Sequence, residues 1–164
     1  MKIDFAAVVL AVLLPSLSVA TGCGRKPAEV AAGAKPARHE HKAPHGGTAI
    51  VLGDELYHVE LVRHAATGTL QAYVFDGGLE NFIRSSAPSI EIAATVNGGP
   101  QTLTLRAVAN PATGETVGDT ALFETQADWL KTTGEFDAVL KRIAIRGRDF
   151  SDVKFNFPKG NDQD

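Results

Sequence analysis

Short segments of alternating apolar and polar residues recur across residues 48–158, and turn residues separate them. Successive side chains of a strand point to opposite faces, so an alternation of period two predicts strands with one buried face. Residues 90–96, 102–106 and 152–157 follow this pattern most clearly. Roughly eight strands with short connections predict an all-β domain, an antiparallel and immunoglobulin-like β-sandwich over residues 44–158.

Other segments complete this prediction. Residues 70–75 are almost continuously apolar, as expected of a more central strand, and residues 136–146 predict one long strand. Residues 121–126 predict a shorter strand, and residues 127–131 predict one helical turn with Trp129 packed over an end of the sandwich. The residues after 158 predict a disordered tail over 159–164.

The N-terminus predicts an export signal over residues 1–22. Lys2 supplies positive charge, and residues 5–14 form an apolar run that is too short to span a bilayer. Ala20-Thr21-Gly22-Cys23 resembles the lipobox of bacterial lipoproteins, which implies that Cys23 carries palmitate-type acyl chains and becomes the mature N-terminus. Ordinary signal-peptide cleavage is the alternative. We therefore expect a lipid-anchored protein of the bacterial cell envelope that faces the periplasm.

Residues 23–43 predict a flexible tether, because they are rich in Ala, Pro, Gly and charged residues and show no apolar period. The net charge of −3 and the lack of a basic stripe predict no nucleic-acid partner.

Histidine is concentrated where the tether meets the first strands. Of the five histidines, four lie within residues 39–60, and a glutamate lies among the last of them. Imidazole and carboxylate together are typical ligands of divalent transition metals. The predicted ligands are His39, His41, His45, His58 and Glu60. His64 is instead expected to be a solvated turn residue.

A hairpin brings these ligands together. Gly53-Asp54 is a plausible two-residue turn, which would pair Ala49 with His58 and Gly47 with Glu60. One face would then be apolar, and the other would carry the histidines and the glutamate. The apolar face would hold Ile50, Leu52, Tyr57, Val59 and Leu61. His39 and His41, on the tether, would complete the shell.

The residue types also restrict the metal. Cu(I) prefers sulfur ligands, but the chain has one methionine, Met1, and one cysteine, Cys23. We therefore expect Zn, Cu(II), Ni or Co.

The run Pro44-His45-Gly46-Gly47, followed by a strand bearing Glu60, resembles the N-terminal metal-related segment of periplasmic adaptor subunits of heavy-metal efflux pumps. Most of the mature chain, including Tyr73-Val74-Phe75-Asp76-Gly77 and Asp128-Trp129-Leu130, looks like small uncharacterised bacterial lipoproteins with the same motif. The coiled-coil hairpin and barrel regions of an adaptor do not occur in the sequence. The resemblance thus implies a stand-alone binding domain, with an efflux system or another envelope protein as its partner.

Three functions are consistent with these sequence features. The first is a metal chaperone, buffer or sensor, and the alternative is an interaction lipoprotein with incidental histidines. The third is an enzyme with a two-histidine, one-carboxylate iron centre that includes His58 and Glu60. No nucleophile elbow or glycine-rich phosphate loop accompanies these residues, so we expect no enzyme.

Overall fold

The computed structural model describes residues 42–161. The predicted signal, Cys23, His39 and His41 lie outside the described residues. The described part contains eight strands and one short 3-10 helix, Asp128–Lys131. The strands are β1 (Thr48–Leu52), β2 (Tyr57–His64), β3 (Thr69–Asp76), β4 (Ser89–Val96), β5 (Gly99–Ala107), β6 (Leu122–Gln126), β7 (Phe136–Ile145) and β8 (Arg148–Phe157).

All eight strands belong to one antiparallel sheet in the order β1-β2-β3-β6-β5-β4-β7-β8. The sheet curls until its two edge strands approach each other, and it encloses one hydrophobic core with residues from every strand. The prediction of an all-β antiparallel fold is confirmed, and an immunoglobulin-like sandwich is roughly consistent with it. Among residues 42–161, no helix has the length and apolar character needed to cross a membrane.

The core follows the alternation of the sequence. On β3, for example, Leu70, Ala72 and Val74 are completely buried in it. The predicted helical turn is confirmed: Trp129 packs edge-on against Phe136, with ring centroids 5.2 Å apart. This turn covers one end of the core with the buried side chain of Leu130.

The register predicted for the first hairpin is wrong by two residues. Leu52 pairs with Tyr57 rather than Glu55, so the connection is the four-residue loop 53–56 rather than a two-residue turn at Gly53-Asp54. Ala49 consequently pairs with Glu60, and Val51 pairs with His58. Glu55 in this loop has φ +57°, a left-handed conformation that the longer loop accommodates. Because a shift of two preserves the alternation, each residue still lies on its predicted face.

The gap between the edge strands β1 and β8 is bridged by a side chain. The Asn161 amide accepts the Val51 N–H at 2.7 Å and donates to the Val51 carbonyl at 3.1 Å, as a neighbouring strand would. The Thr48 hydroxyl also donates to the Pro158 carbonyl at 3.1 Å. The predicted tail began at 159, but Gly160 and Asn161 are part of the fold because they satisfy backbone groups of Asn156 and Val51.

Candidate metal site

The segment before β1 folds back over the outer face of the sheet. The Gly46 N–H donates to the Ala43 carbonyl at 3.0 Å, and Gly46 has φ +70°, a left-handed conformation that glycine adopts without strain. Pro44 occupies the turn, where its fixed φ is favourable. This reversal carries the His45 ring onto β2 and β3 rather than along the edge of β1.

Glu60 holds this turn in place. Its Oε1 accepts the backbone N–H groups of His45 and Gly47, each at 2.8 Å. Its Oε2 contacts Nδ1 of the His45 ring, also at 2.8 Å. Glu60 is fully buried on the outer face of β2, whereas the His45 side chain is 36% exposed. A buried carboxylate requires such partners, and the turn provides three of them.

Gly47 is required by this close approach. A Cβ at this position would lie 2.4 Å from the Leu61 carbonyl oxygen and 3.0 Å from the Glu60 side chain. Any larger residue would therefore separate the turn from β2 and lengthen its hydrogen bonds to the carboxylate.

An aromatic cluster surrounds the His45 ring. The ring stacks on Tyr73 with centroids 4.1 Å apart and an interplanar angle of 18°. Phe75 and Phe82 each lie 6.1 Å from it, and they stack on each other at 4.7 Å. Phe82 is 56% exposed, so this cluster forms an aromatic surface patch beside His45.

The environment of Tyr73 changes its acidity. Burial raises the pKa of the Tyr73 hydroxyl, and the negative charges of Glu60 and Glu124 raise it further. The hydroxyl donates to Gln71 Oε1 at 2.9 Å. Tyr73 is therefore a neutral, fixed platform against which the His45 ring packs.

His58 lies on the same face of β2 as Glu60 and is also completely buried. Its Nδ1 is 3.3 Å from the carbonyl oxygen of Asp76. Asp76 in turn organises the following loop, and hydrogen bonding from Asn81 holds the pKa of the Asp76 carboxyl below its usual value. Between His45 and His58, only His45 has measurable solvent exposure.

No predicted ligand other than His45, His58 and Glu60 lies among residues 42–161. His39 and His41 lie outside residues 42–161. His64 is solvent-exposed, as expected, at the end of β2, where its Nε2 lies 3.0 Å from Gln71 Oε1. Within the described range, no group of three or more His, Cys, Asp or Glu side chains is arranged to hold a metal ion.

A cavity of about 310 Å³ opens beside His45, between the turn and the end of β8. Its walls include Thr48, Arg63 and Pro158. The Arg63 side chain is directed to the 3-10 helix, where Nε donates to the Leu130 carbonyl at 2.6 Å. The cavity therefore adjoins the His45 turn on the side of β8.

Sequence reasoning missed the aromatic cover over Glu60. Residues 70–75 are almost continuously apolar in sequence, yet their side chains alternate between the core and the outer face of the sheet. Leu70, Ala72 and Val74 face the core, whereas Tyr73 and Phe75 face the His45 turn. The period of two in a strand is the signal that separates these sets, because alternate side chains of β3 point to opposite faces of the sheet.

Comparisons with protein-family models, with curated proteins and with solved structures find no match.

Proposed function

We propose that this chain is a lipid-anchored protein of the bacterial cell envelope that binds a divalent transition metal through His45. The observation that carries the proposal is the 2.8 Å contact between His45 Nδ1 and the buried Glu60 carboxylate. In the neutral imidazole the carboxylate accepts a hydrogen bond from Nδ1, which leaves Nε2 as the nitrogen with a free lone pair. Metal-binding histidines characteristically donate their second nitrogen to a carboxylate in this way.

Glu60 then has a different role from that of a direct ligand. Both its oxygens are engaged by the turn, so it fixes the orientation of the imidazole. Tyr73 supports one face of the same ring and limits its rotation. An imidazole held at its Nδ1 and at one face is preorganised for an ion approaching Nε2.

His39 and His41 are the proposed partners of His45. They precede it by six and four residues, and an extended chain of four residues reaches at most about 14 Å. That reach is enough for either ring to share an ion with His45. His58 is a secondary candidate, because it is completely buried and the side chains around it would have to move before an ion could contact it.

Three nitrogen ligands favour Zn(II), Cu(II), Ni(II) or Co(II), and the scarcity of sulfur disfavours Cu(I). Such a protein would act as a metal chaperone, buffer or sensor, and the proposed partner is a heavy-metal efflux system or another envelope protein. Binding should weaken in acid, because only neutral imidazole binds the ion.

Calorimetric titration of residues 24–164 with Zn(II) and Cu(II) tests the proposal. His45→Ala should abolish the tightest binding event. Glu60→Gln should weaken it by about 10–100-fold, as is typical when the orienting carboxylate is lost. His64→Ala is the matched control, because His64 is an exposed histidine at the end of β2 whose ring contacts Gln71 rather than the Glu60 carboxylate. Unchanged affinity in His45→Ala would contradict the proposal.

A second candidate is an interaction lipoprotein, and the aromatic patch around the exposed Phe82 favours it. In that case His45 serves to cap Glu60 and to extend the aromatic surface. Purified protein that retains no metal and gives no heat with any of the four ions would support this function instead.

A further inference from the structure

A second groove lies on the outer face of β4, β7 and β8, and none of the candidate metal ligands lines it. Its volume is about 480 Å³, within the range of small-molecule sites. The strand register arranges its side chains in two rows across the three strands. The first row is Thr95, Asp137 and Asn156, and the second row is Ala93, Val139 and Lys154.

The first row presents hydrogen-bond acceptors. Asn156 Nδ2 donates to Asp137 Oδ1 at 2.9 Å, which determines the orientation of the Asn156 amide. Flipping that amide would place two oxygens against each other. Asn156 Oδ1 is buried and has no hydrogen-bond partner. An unpaired buried carbonyl oxygen is unfavourable, which favours pairing with a ligand that carries N–H groups. Because the atom has no accessible surface, this pairing requires the Asn156 side chain to turn toward the groove.

The second row presents a positive charge above an apolar floor. Lys154 is exposed and forms no ion pair with any residue of the range 42–161. It lies diagonal to Asp137 across β7 and β8, a separation of roughly 7–8 Å between backbones. Ala93 and Val139 are partly buried and carry no polar side-chain atoms, so they form an apolar depression beside Lys154 in the second row.

We propose that this groove binds a zwitterionic amino acid with an apolar side chain. The ligand ammonium donates to Asp137 and, once the Asn156 side chain turns toward the groove, to Asn156 Oδ1, which supplies the partner that this oxygen lacks. The ligand carboxylate pairs with Lys154, and the apolar side chain lies on Ala93 and Val139. The negative Asp137 faces the ligand ammonium, and the positive Lys154 faces the ligand carboxylate. A zwitterion can satisfy both residues, whereas a simple cation or anion can satisfy only one.

The test is a titration of the isotope-labelled full-length chain with L-leucine, followed by nuclear magnetic resonance of the backbone amides. We expect saturable shifts at residues 93, 95, 137, 139, 154 and 156. L-leucinamide lacks the carboxylate and N-acetyl-L-leucine lacks the ammonium, so each should bind at least about tenfold more weakly. Absence of saturable shifts, or equal binding of all three compounds, would overturn the proposal.

Two variants locate the contacts. Asp137→Asn should weaken L-leucine binding by about tenfold or more, and Lys154→Gln should do the same. Lys141→Gln is the matched control, because Lys141 is an exposed lysine of β7 that pairs with Asp152 outside the groove. If Asp137→Asn loses the dispersed spectrum of the folded protein, the affinity of Lys154→Gln for L-leucine alone tests the proposal. Unchanged binding in Lys154→Gln would overturn the proposal.

Discussion

The Glu60 carboxylate contacts both the backbone N–H and the ring Nδ1 of His45, which lies 15 residues earlier in the chain. The third partner is the N–H of Gly47. A single buried side chain of β2 therefore determines the conformation of the whole turn that precedes β1.

Removing this carboxylate should destabilise the fold. Glu60→Ala leaves two backbone N–H groups and a ring nitrogen without their acceptor, and we expect a loss of at least about 2 kcal/mol in the free energy of unfolding. Glu60→Gln retains one oxygen and should lose less. Urea unfolding measures both values. Glu91→Ala, at an exposed position of β4, is the control and should change stability by no more than about 0.5 kcal/mol. Equal stability of Glu60→Ala and Glu91→Ala would refute this account of the turn.

Gly47 should not tolerate a side chain. Gly47→Ala places a methyl group 2.4 Å from the Leu61 carbonyl oxygen, which the backbone of β2 cannot relieve without moving. We expect a loss of about 1–3 kcal/mol, the usual penalty of overpacking. Gly99→Ala is the matched control, because a methyl group there meets only the Val96 carbonyl at an ordinary 3.6 Å. Thermal and urea denaturation of both variants, compared side by side, check the difference.

The acidity of Tyr73 should respond to Glu60. In a Tyr57→Phe background Tyr73 is the only tyrosine, and its phenol should titrate above the ordinary value of about 10. Glu60→Gln should lower the pKa of Tyr73 without restoring the ordinary value, because burial is the larger cause. Ultraviolet absorbance of the phenolate against pH measures both.

The same raised pKa has a consequence for stability. The folded state holds the Tyr73 proton more tightly than the unfolded state does, so this proton contributes to the free energy of unfolding. The contribution is fully present below about pH 10 and is lost as the pH rises through the folded-state pKa. A Tyr73 pKa at or below the ordinary value would mean that the hydroxyl lies in water rather than against the turn.

Asn161 should act as a substitute for a neighbouring strand. Asn161→Ala removes both hydrogen bonds to the Val51 backbone, and we expect it to lower the free energy of unfolding by about 1–3 kcal/mol. Asn161→Asp keeps an acceptor for the Val51 N–H but cannot donate to the Val51 carbonyl, so its loss should be intermediate. Gln101→Ala, which removes an exposed amide of β5, is the control. Hydrogen exchange at the Val51 amide should accelerate in Asn161→Ala and remain slow in the control.

Lipidation of Cys23 should anchor the protein to the membrane. We expect the parent chain to partition with membranes through lipid alone, and Cys23→Ser to be released or to remain unprocessed. Membrane fractionation, together with gel mobility, distinguishes the two. A Cys23→Ser variant that fractionates and migrates like the parent would exclude lipidation at this residue.

The strand pattern was readable from local sequence because alternation is a local property. Residues 90–96 and 152–157 show which faces are buried without reference to any other strand. The hairpin faces were also predictable, since an error of two residues in register leaves the alternation unchanged. The loop length was not predictable, because Gly53 fits a two-residue turn as well as the observed four-residue loop.

The sequence by itself determined the all-β class and the faces of the strands, because both depend on local alternation. Only the tertiary structure decided what each residue contacts. Tyr73 reaches the His45 ring from β3, and Asn161 reaches Val51 across 110 residues. The turn at Gly46 directs His45 onto Glu60 rather than along β1. Such contacts between distant segments follow from the curvature of the sheet, which no short stretch of sequence encodes.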